Sequence, residues 1–191
     1  MPGTRAAACP PPQQRCGPAP GAGWLEVLDV EGCSAVVTCA ASSPLQLLVP
    51  RPRGTAAWIL AASHGGGLVS GDAVGLEISV GAGATAYLGT QAETKVYRSA
   101  RDRGARQSVA AAVASGGLLA LLPDPVSPFA GARYQQEQRF ELTAGASLVV
   151  LDAVTAGRAA RGERWALARY RSRNEVCVSG TPILADAVHL E

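Results

Sequence analysis

Few side chains in this sequence stand where they could do chemistry. Five carboxylates are candidates, Asp72, Glu77, Glu93, Asp152 and Glu163, and the two histidines are His64 and His189. Acid/base work needs two such groups on opposite sides of a substrate with unequal pKa values, which spacing along different strands does not establish. Asp152 is the most conspicuous, because it follows the apolar run Leu148 to Leu151. A carboxylate drawn inside there must be paired, hydrated or functional; a strand-end Asp in a turn is the plain alternative. A nucleophile needs a neighbouring base, and no G-x-S-x-G elbow lies near His64, while His189 reads as incidental. The string GGGLVSGD, Gly65 to Asp72, ends in Ser-Gly-Asp and leads into a strand. It therefore lacks the Gly-Lys-Ser/Thr ending and the following helix of a phosphate loop. No catalytic residue and no metal ligand set emerge from these patterns. Cys9, Cys16, Cys33, Cys39 and Cys177 are odd in number and contain no C-x-x-C pair. They read as reduced structural thiols rather than a disulfide framework or a zinc site.

Two polar segments suit recognition better than catalysis. TQAETKVYRS, Thr90 to Ser99, is polar within an apolar chain and holds the sole lysine, Lys95. If it is extended, Thr94, Lys95, Tyr97 and Arg98 fall two to each face. That describes a recognition edge, with a solvated surface strand as the alternative. LLPDPVSPF, Leu121 to Phe129, places three prolines after an apolar strand. Proline ends sheet pairing and fixes an extended loop, which suits docking or simply terminates the strand.

The elements that must position these residues are short strands. With 48% hydrophobic residues over 191 positions the chain forms a real core, and with only 5% aromatics that core must be filled by small side chains. The formal net charge of +2 is too small for a nucleic-acid footprint. Residues 1–22 are rich in Pro, Ala and Gly and read as a flexible tail, leaving one β domain over 23–191. No run reaches the ~18 apolar residues of a membrane span, and no apolar h-region precedes the N-terminal prolines. The reading is a cytoplasmic protein without membrane contact.

Strands are expected at 24–30, 34–40, 45–49 and 56–62, and a strand pair over 164–180. The clearest alternation is Leu76, Ile78, Val80, Ala82, Ala84, Ala86 and Leu88, which reads as two strands joined at a glycine corner. LEISVGAGATAYL (76–88) aligns with FELTAGASLVVLD (140–152), and QSVAAAVASGGLLALLP (107–123) is a looser copy between them. Corners near 81, 117 and 145 thus recur at roughly 32-residue intervals, within the range of stacked repeats. The fold class is mainly β, a stacked, layered antiparallel and β-solenoid-like protein with little helix. Ala propensity leaves a helix over 108–114 as the alternative there. No closing element follows the last strands, so an open sheet edge and poor solubility in isolation are expected.

Taken in order, GGGLVSGD, TQAETKVYRS, LLALLPDPVSPFAGARYQQ and LVVLDAVTAGRAARGERWALARYRSRNEV closely resemble the urease accessory protein UreD (UreH) family from about Trp24 to Glu191. The ARYRSRNE stretch is similar in style to the eukaryotic branch. The resemblance implies a non-enzymatic maturation factor that binds apo-urease and joins UreF and the GTPase UreG, with a β-rich fold and a part in passing nickel. It implies no stably bound cofactor, only transient Ni2+. By motif match, Asp72, Thr94 and Asp152 are the passage-lining or function-sensitive positions. Lys95, Tyr97, Arg98 and Arg158 are candidates for partner contacts or for ordering those carboxylates. His64 stands where Tyr or Pro is commoner in the family, and no metal role is attached to it. Family members usually continue past the position of Glu191, so a C-terminally shortened chain is implied. The competing reading is a stacked-β binding module with no tie to nickel, supported by the repeat and the missing catalytic constellation.

Overall fold

The computed structural model describes residues 17–52, 54–100 and 103–191, so residues 1–16 of the expected tail, with Cys9 and Cys16, lie outside the described residues. Gly21 N–H already donates to the Ser43 carbonyl at 2.9 Å, and β1 begins at Ala22. The strands are β1 (Ala22–Val30), β2 (Cys33–Ala41), β3 (Leu45–Leu48), β4 (Ala57–Ser63), β5 (Ala73–Val80), β6 (Thr85–Thr90) and β7 (Thr94–Val96). After them come β8 (Ala105–Val113), β9 (Leu118–Leu121), β10 (Val126–Pro128), β11 (Arg133–Leu142), β12 (Ser147–Val150), β13 (Arg169–Val178) and β14 (Thr181–Leu190). A single turn of 3₁₀ helix, Ala159–Arg161, is the one helical element among the described residues. Residues 108–114 are therefore not a helix: Val109, Ala111 and Val113 alternate inward along β8.

Three successive coils build the body. Each supplies a strand to a seven-stranded sheet ordered β14-β13-β11-β8-β5-β1-β2 and, after a glycine corner, a strand to a five-stranded sheet ordered β12-β9-β6-β4-β3. A narrow third face is made by β7 and β10, extended by bridges Leu68 to Val96 and Val126 to Val154. This is the stacked β-solenoid-like architecture that the repeat implied. The pairing direction differs from expectation: β5-β8, β8-β11, β11-β13, β4-β6, β6-β9 and β9-β12 are all parallel. Antiparallel pairs remain at the margins, β1-β2, β3-β4 and β13-β14. The reason lies in the corner. It does not fold the chain back beside itself but passes it to the other sheet, so each coil returns in the same sense as the last.

Gly83, Gly116 and Gly145 occupy these corners with φ of 69°, 72° and 83°, a left-handed conformation that glycine adopts freely. They stack, with Gly83 N–H donating to the Ser115 carbonyl and Gly116 N–H to the Gly145 carbonyl. The main core lies between the two large sheets at the corner end, where Ile78, Val80, Ala84, Ala86, Val113, Leu119 and Phe140 interlock. A second cluster under the third face joins Leu68, Val96, Ala132, Tyr134, Leu167 and Tyr170. Residues 164–180 form one strand, β13, rather than a strand pair, because Trp165 and Leu167 precede it in irregular chain; its hairpin partner is β14.

Candidate functional site

Strand parity creates a polar zone between the two cores. Along β11, Tyr134, Gln136, Gln138, Phe140 and Leu142 all point inward, and Gln136 and Gln138 are each 4% exposed. Along β13 the same face carries Tyr170, Ser172 and Asn174. Buried amides and hydroxyls must find partners, since an unpaired polar group in the interior is unfavourable. Here they converge on Asp152, two residues past the end of β12 in the five-stranded sheet.

Asp152 Oδ1 accepts from Gln136 Nε2 at 3.1 Å and from the Tyr170 hydroxyl at 3.4 Å, while Oδ2 accepts from Ser172 Oγ at 2.5 Å and Asn174 Nδ2 at 3.0 Å. The Tyr134 hydroxyl lies 3.0 Å from Gln136 Oε1 and 3.1 Å from Gln107 Oε1, and its single proton serves one of them at a time. Tyr134 and Tyr170 stack with ring centroids 5.7 Å apart. Burial pushes both phenols well above their ordinary range, and the Asp152 charge pushes the same way, so both remain neutral donors. Two buried acceptors, Gln138 Oε1 and Asn174 Oδ1, have no hydrogen-bond partner among the described residues, and their residues are direct neighbours across β11 and β13.

Beside this network lies a narrow cavity of about 50 Å³ whose polar lining includes Thr90, Thr94, Asp124, Gln136, Gln138 and Asp152. That volume is enough for a few waters. An open groove of about 220 Å³ shares Thr90, Thr94 and Gln107 with it and adds Glu93 and Lys95. Thr90 and Asp124 clasp each other at the shared wall: Thr90 Oγ1 donates to Asp124 Oδ2 at 2.9 Å, and Asp124 N–H donates to Thr90 Oγ1 at 2.8 Å. The rigid segment that brings Asp124 there is the one with Pro123, Pro125 and Pro128.

Thr94 and Asp152 therefore share one lining. Asp72 does not join them. Its carboxylate accepts from Val69 N–H at 2.8 Å within a tight turn, and it lines a different depression on the outer face beside Arg103 and Arg106. The Gly-rich segment before it docks on β7: Leu68 N–H donates to the Lys95 carbonyl and Tyr97 N–H to the Leu68 carbonyl. A Cβ at Gly67 would come within 2.7 Å of the Lys95 carbonyl oxygen, so glycine is required by close packing there. The amides of Leu68, Val69, Gly71 and Asp72 are thus engaged within the protein itself.

Lys95 sits at the groove 4.0 Å from Glu93, a half-exposed pair of small energetic weight. Tyr97 packs edge-on against Phe129, with centroids 5.3 Å apart, and Arg98 is exposed next to Gly131. Arg158 orders neither Asp72 nor Asp152. It pairs with Glu163 through two hydrogen bonds and lies 4.2 Å over the Phe129 ring. His64 is exposed in a loop and His189 contacts Arg171 and Glu191. Asp72 and Asp152, two of the five candidate carboxylates, line separate depressions and do not face each other. Among the described residues no cluster of three His, Cys, Asp or Glu side chains gathers to hold a metal. No helix among the described residues is long and apolar enough to cross a membrane.

Reading the sequence missed Gln107, Gln136, Ser172 and Asn174, and also Thr90 and Asp124. A signal existed for Gln136, Gln138, Ser172 and Asn174: they are polar residues at inward parity in strands whose other inward residues are apolar or aromatic. None was available for the Thr90 to Asp124 clasp, which joins different coils.

A family model described as UreD urease accessory protein matches residues 20–191. The chain is similar to urease accessory protein UreD of Anaeromyxobacter sp. (strain Fw109-5), with 59% identity over 96% of this chain and 63% of that protein. It is also similar to urease accessory protein D of Oryza sativa subsp. japonica, with 41% identity over 91% of this chain and 58% of the other. For urease accessory protein D of Arabidopsis thaliana the identity is 40% over 88% and 59%. The chain thus spans between 58% and 63% of the length of these curated relatives.

Proposed function

The chain belongs to the UreD urease accessory protein family, and from that premise we propose that it is a non-catalytic scaffold of urease maturation. It binds apo-urease in the cytoplasm and, with UreF and the GTPase UreG, supports insertion of nickel into the urease active site. Nickel is cargo here, not a resident cofactor.

The observation that carries this reading is the cavity at the polar zone, where Thr90, Thr94, Asp124, Gln136, Gln138 and Asp152 place oxygens in a lining that is otherwise mostly apolar. A metal in transit needs donors that replace some of its water without trapping it, and a closed thiolate cage would trap it. Among the described residues the lining includes carboxylate, amide and hydroxyl oxygens and neither thiol nor imidazole. Asp152 supplies charge, and the unpaired oxygen of Gln138, which lines the cavity, is an acceptor that a hydrated cation would satisfy through its waters. Thr90, Thr94 and Asp124 continue the polar lining to the open groove.

The test is co-expression of urease with UreF, UreG and nickel, with and without this chain. The expected result is that urease nickel content and activity both fall when it is omitted; equal values would overturn the proposal. Asp152→Asn is expected to lower nickel per urease while leaving capture of apo-urease intact. Loss of both together would assign Asp152 a purely structural part.

A further inference from the structure

Outside the cavity, the loop 156–165 holds a tryptophan in an unusual backbone conformation. Three non-glycine residues have left-handed φ among the described residues: Glu31 at 54°, Ser179 at 49° and Trp165 at 53°. The first two precede Gly32 and Gly180 in the two-residue turns of the β1-β2 and β13-β14 hairpins, where both central residues take positive φ. Trp165 belongs to no hairpin and is followed by Ala166. For a bulky side chain this conformation is unfavourable and persists only where the surroundings impose it.

The surroundings do impose it. Trp165 N–H donates to the Ala156 carbonyl at 2.8 Å, closing the loop, and Gly131 N–H donates to the Ala166 carbonyl at 2.8 Å. Beneath, Glu163 accepts from Ala130 N–H at 3.1 Å and from Arg158 Nε at 2.9 Å, and Arg158 in turn rests on Phe129. The result is an indole that is 58% exposed and has no ring partner among the described residues. Arg161 and Arg164 are exposed on the same short loop. Glu163 is taken by Arg158, and neither Arg161 nor Arg164 has an ion-pair partner among the described residues.

Single exposed apolar residues are ordinary. A tryptophan fixed outward against its own backbone preference and flanked by two exposed arginines without an ion-pair partner among the described residues has instead the make-up of a binding hot spot. We propose that Trp165 anchors a protein-docking surface whose partner offers an apolar pocket for the indole and carboxylates at its rim for Arg161 and Arg164. Two cations are too few for a phosphate polymer, which favours an acidic protein surface.

This inference rests on the proposed role in urease maturation for the identity of the proteins used to test it. Full-length wild type, Trp165→Ala, Trp165→Gly and the double variant R161E/R164E would be immobilised, and binding of purified apo-urease and of UreF measured separately at low and high salt. Trp165→Ala is expected to bind one of the two at least about tenfold more weakly at unchanged melting temperature. Trp165→Gly is expected to melt higher, because glycine relieves the backbone, yet to bind as weakly. R161E/R164E is expected to weaken the same interaction more at low salt than at high salt. Binding of both tryptophan variants within about twofold of wild type would overturn the docking surface. A lower melting temperature for Trp165→Gly would overturn it too, by making Trp165 a packing residue. If wild type binds neither protein, the maturation reading fails together with this surface.

Discussion

Asp152 shows how one carboxylate becomes the hub of an interior. Four donors from Gln136, Tyr170, Ser172 and Asn174 reach its two oxygens, so removing it orphans several half-buried or buried groups at once. Asp152→Ala is expected to lower unfolding stability by about 2–4 kcal/mol in a urea titration. Asp152→Asn, which keeps an acceptor oxygen and the shape, should lose clearly less. Glu163 plays a parallel part on the surface loop. Its hydrogen bonds from Arg158 first, and from the Ala130 amide second, hold its carboxyl below the usual range. A depressed folded pKa means that the stabilisation is present above the unfolded value near ~4.3 and lost as pH falls through the folded one. Acidification below about pH 4 is therefore expected to loosen the loop 156–165, seen as faster hydrogen exchange at the Ala130 amide. Glu163→Gln should abolish that pH step.

The strands and corners translate sequence into position. The inward residues of β5 and β6, Leu76, Ile78, Val80, Ala86 and Leu88, follow the parity read from the sequence, and β1 to β4 lie where apolar runs suggested. That parity is local physics, since successive side chains on a strand face opposite sides. The direction of pairing is not local, and it came out parallel because corners transfer the chain between sheets. Gly117 makes the corner geometry testable. A Cβ there would lie 2.9 Å from both the Ala114 and Gly81 carbonyl oxygens, backbone atoms that cannot swing aside. Gly117→Ala is expected to cost about 1–3 kcal/mol in the same titration. An unchanged midpoint would mean that the corner column tolerates widening.

At the scale of the molecule, the seven-stranded sheet ends in β14, whose residues are exposed on both faces for nearly its whole length. Ile183 is 62% exposed and Leu184 50%. A long, exposed edge strand carrying bare apolar side chains pairs readily with other strands. Concentration-dependent association of the isolated protein is expected by light scattering, and Ile183→Lys should raise the concentration at which it begins. A wild type that stays monomeric at high concentration would contradict the exposed edge as an association site.

Alternation, glycine corners and the repeat of residues 76–88 in 140–152 are properties of the sequence itself, because they reflect how each strand buries one face and how tightly each corner turns. They sufficed for a stacked β body with a small-residue core and for the four ordered strings that resemble one family. Whether Arg158 serves Glu163, five residues on, depended on how their shared loop closes, and whether Thr94 and Asp152 meet while Asp72 stays apart depended on which coil lies beside which. Those neighbours are separated by tens of residues, so only the closing of the coils on one another could bring Gln136, Ser172 and Asn174 around a single carboxylate.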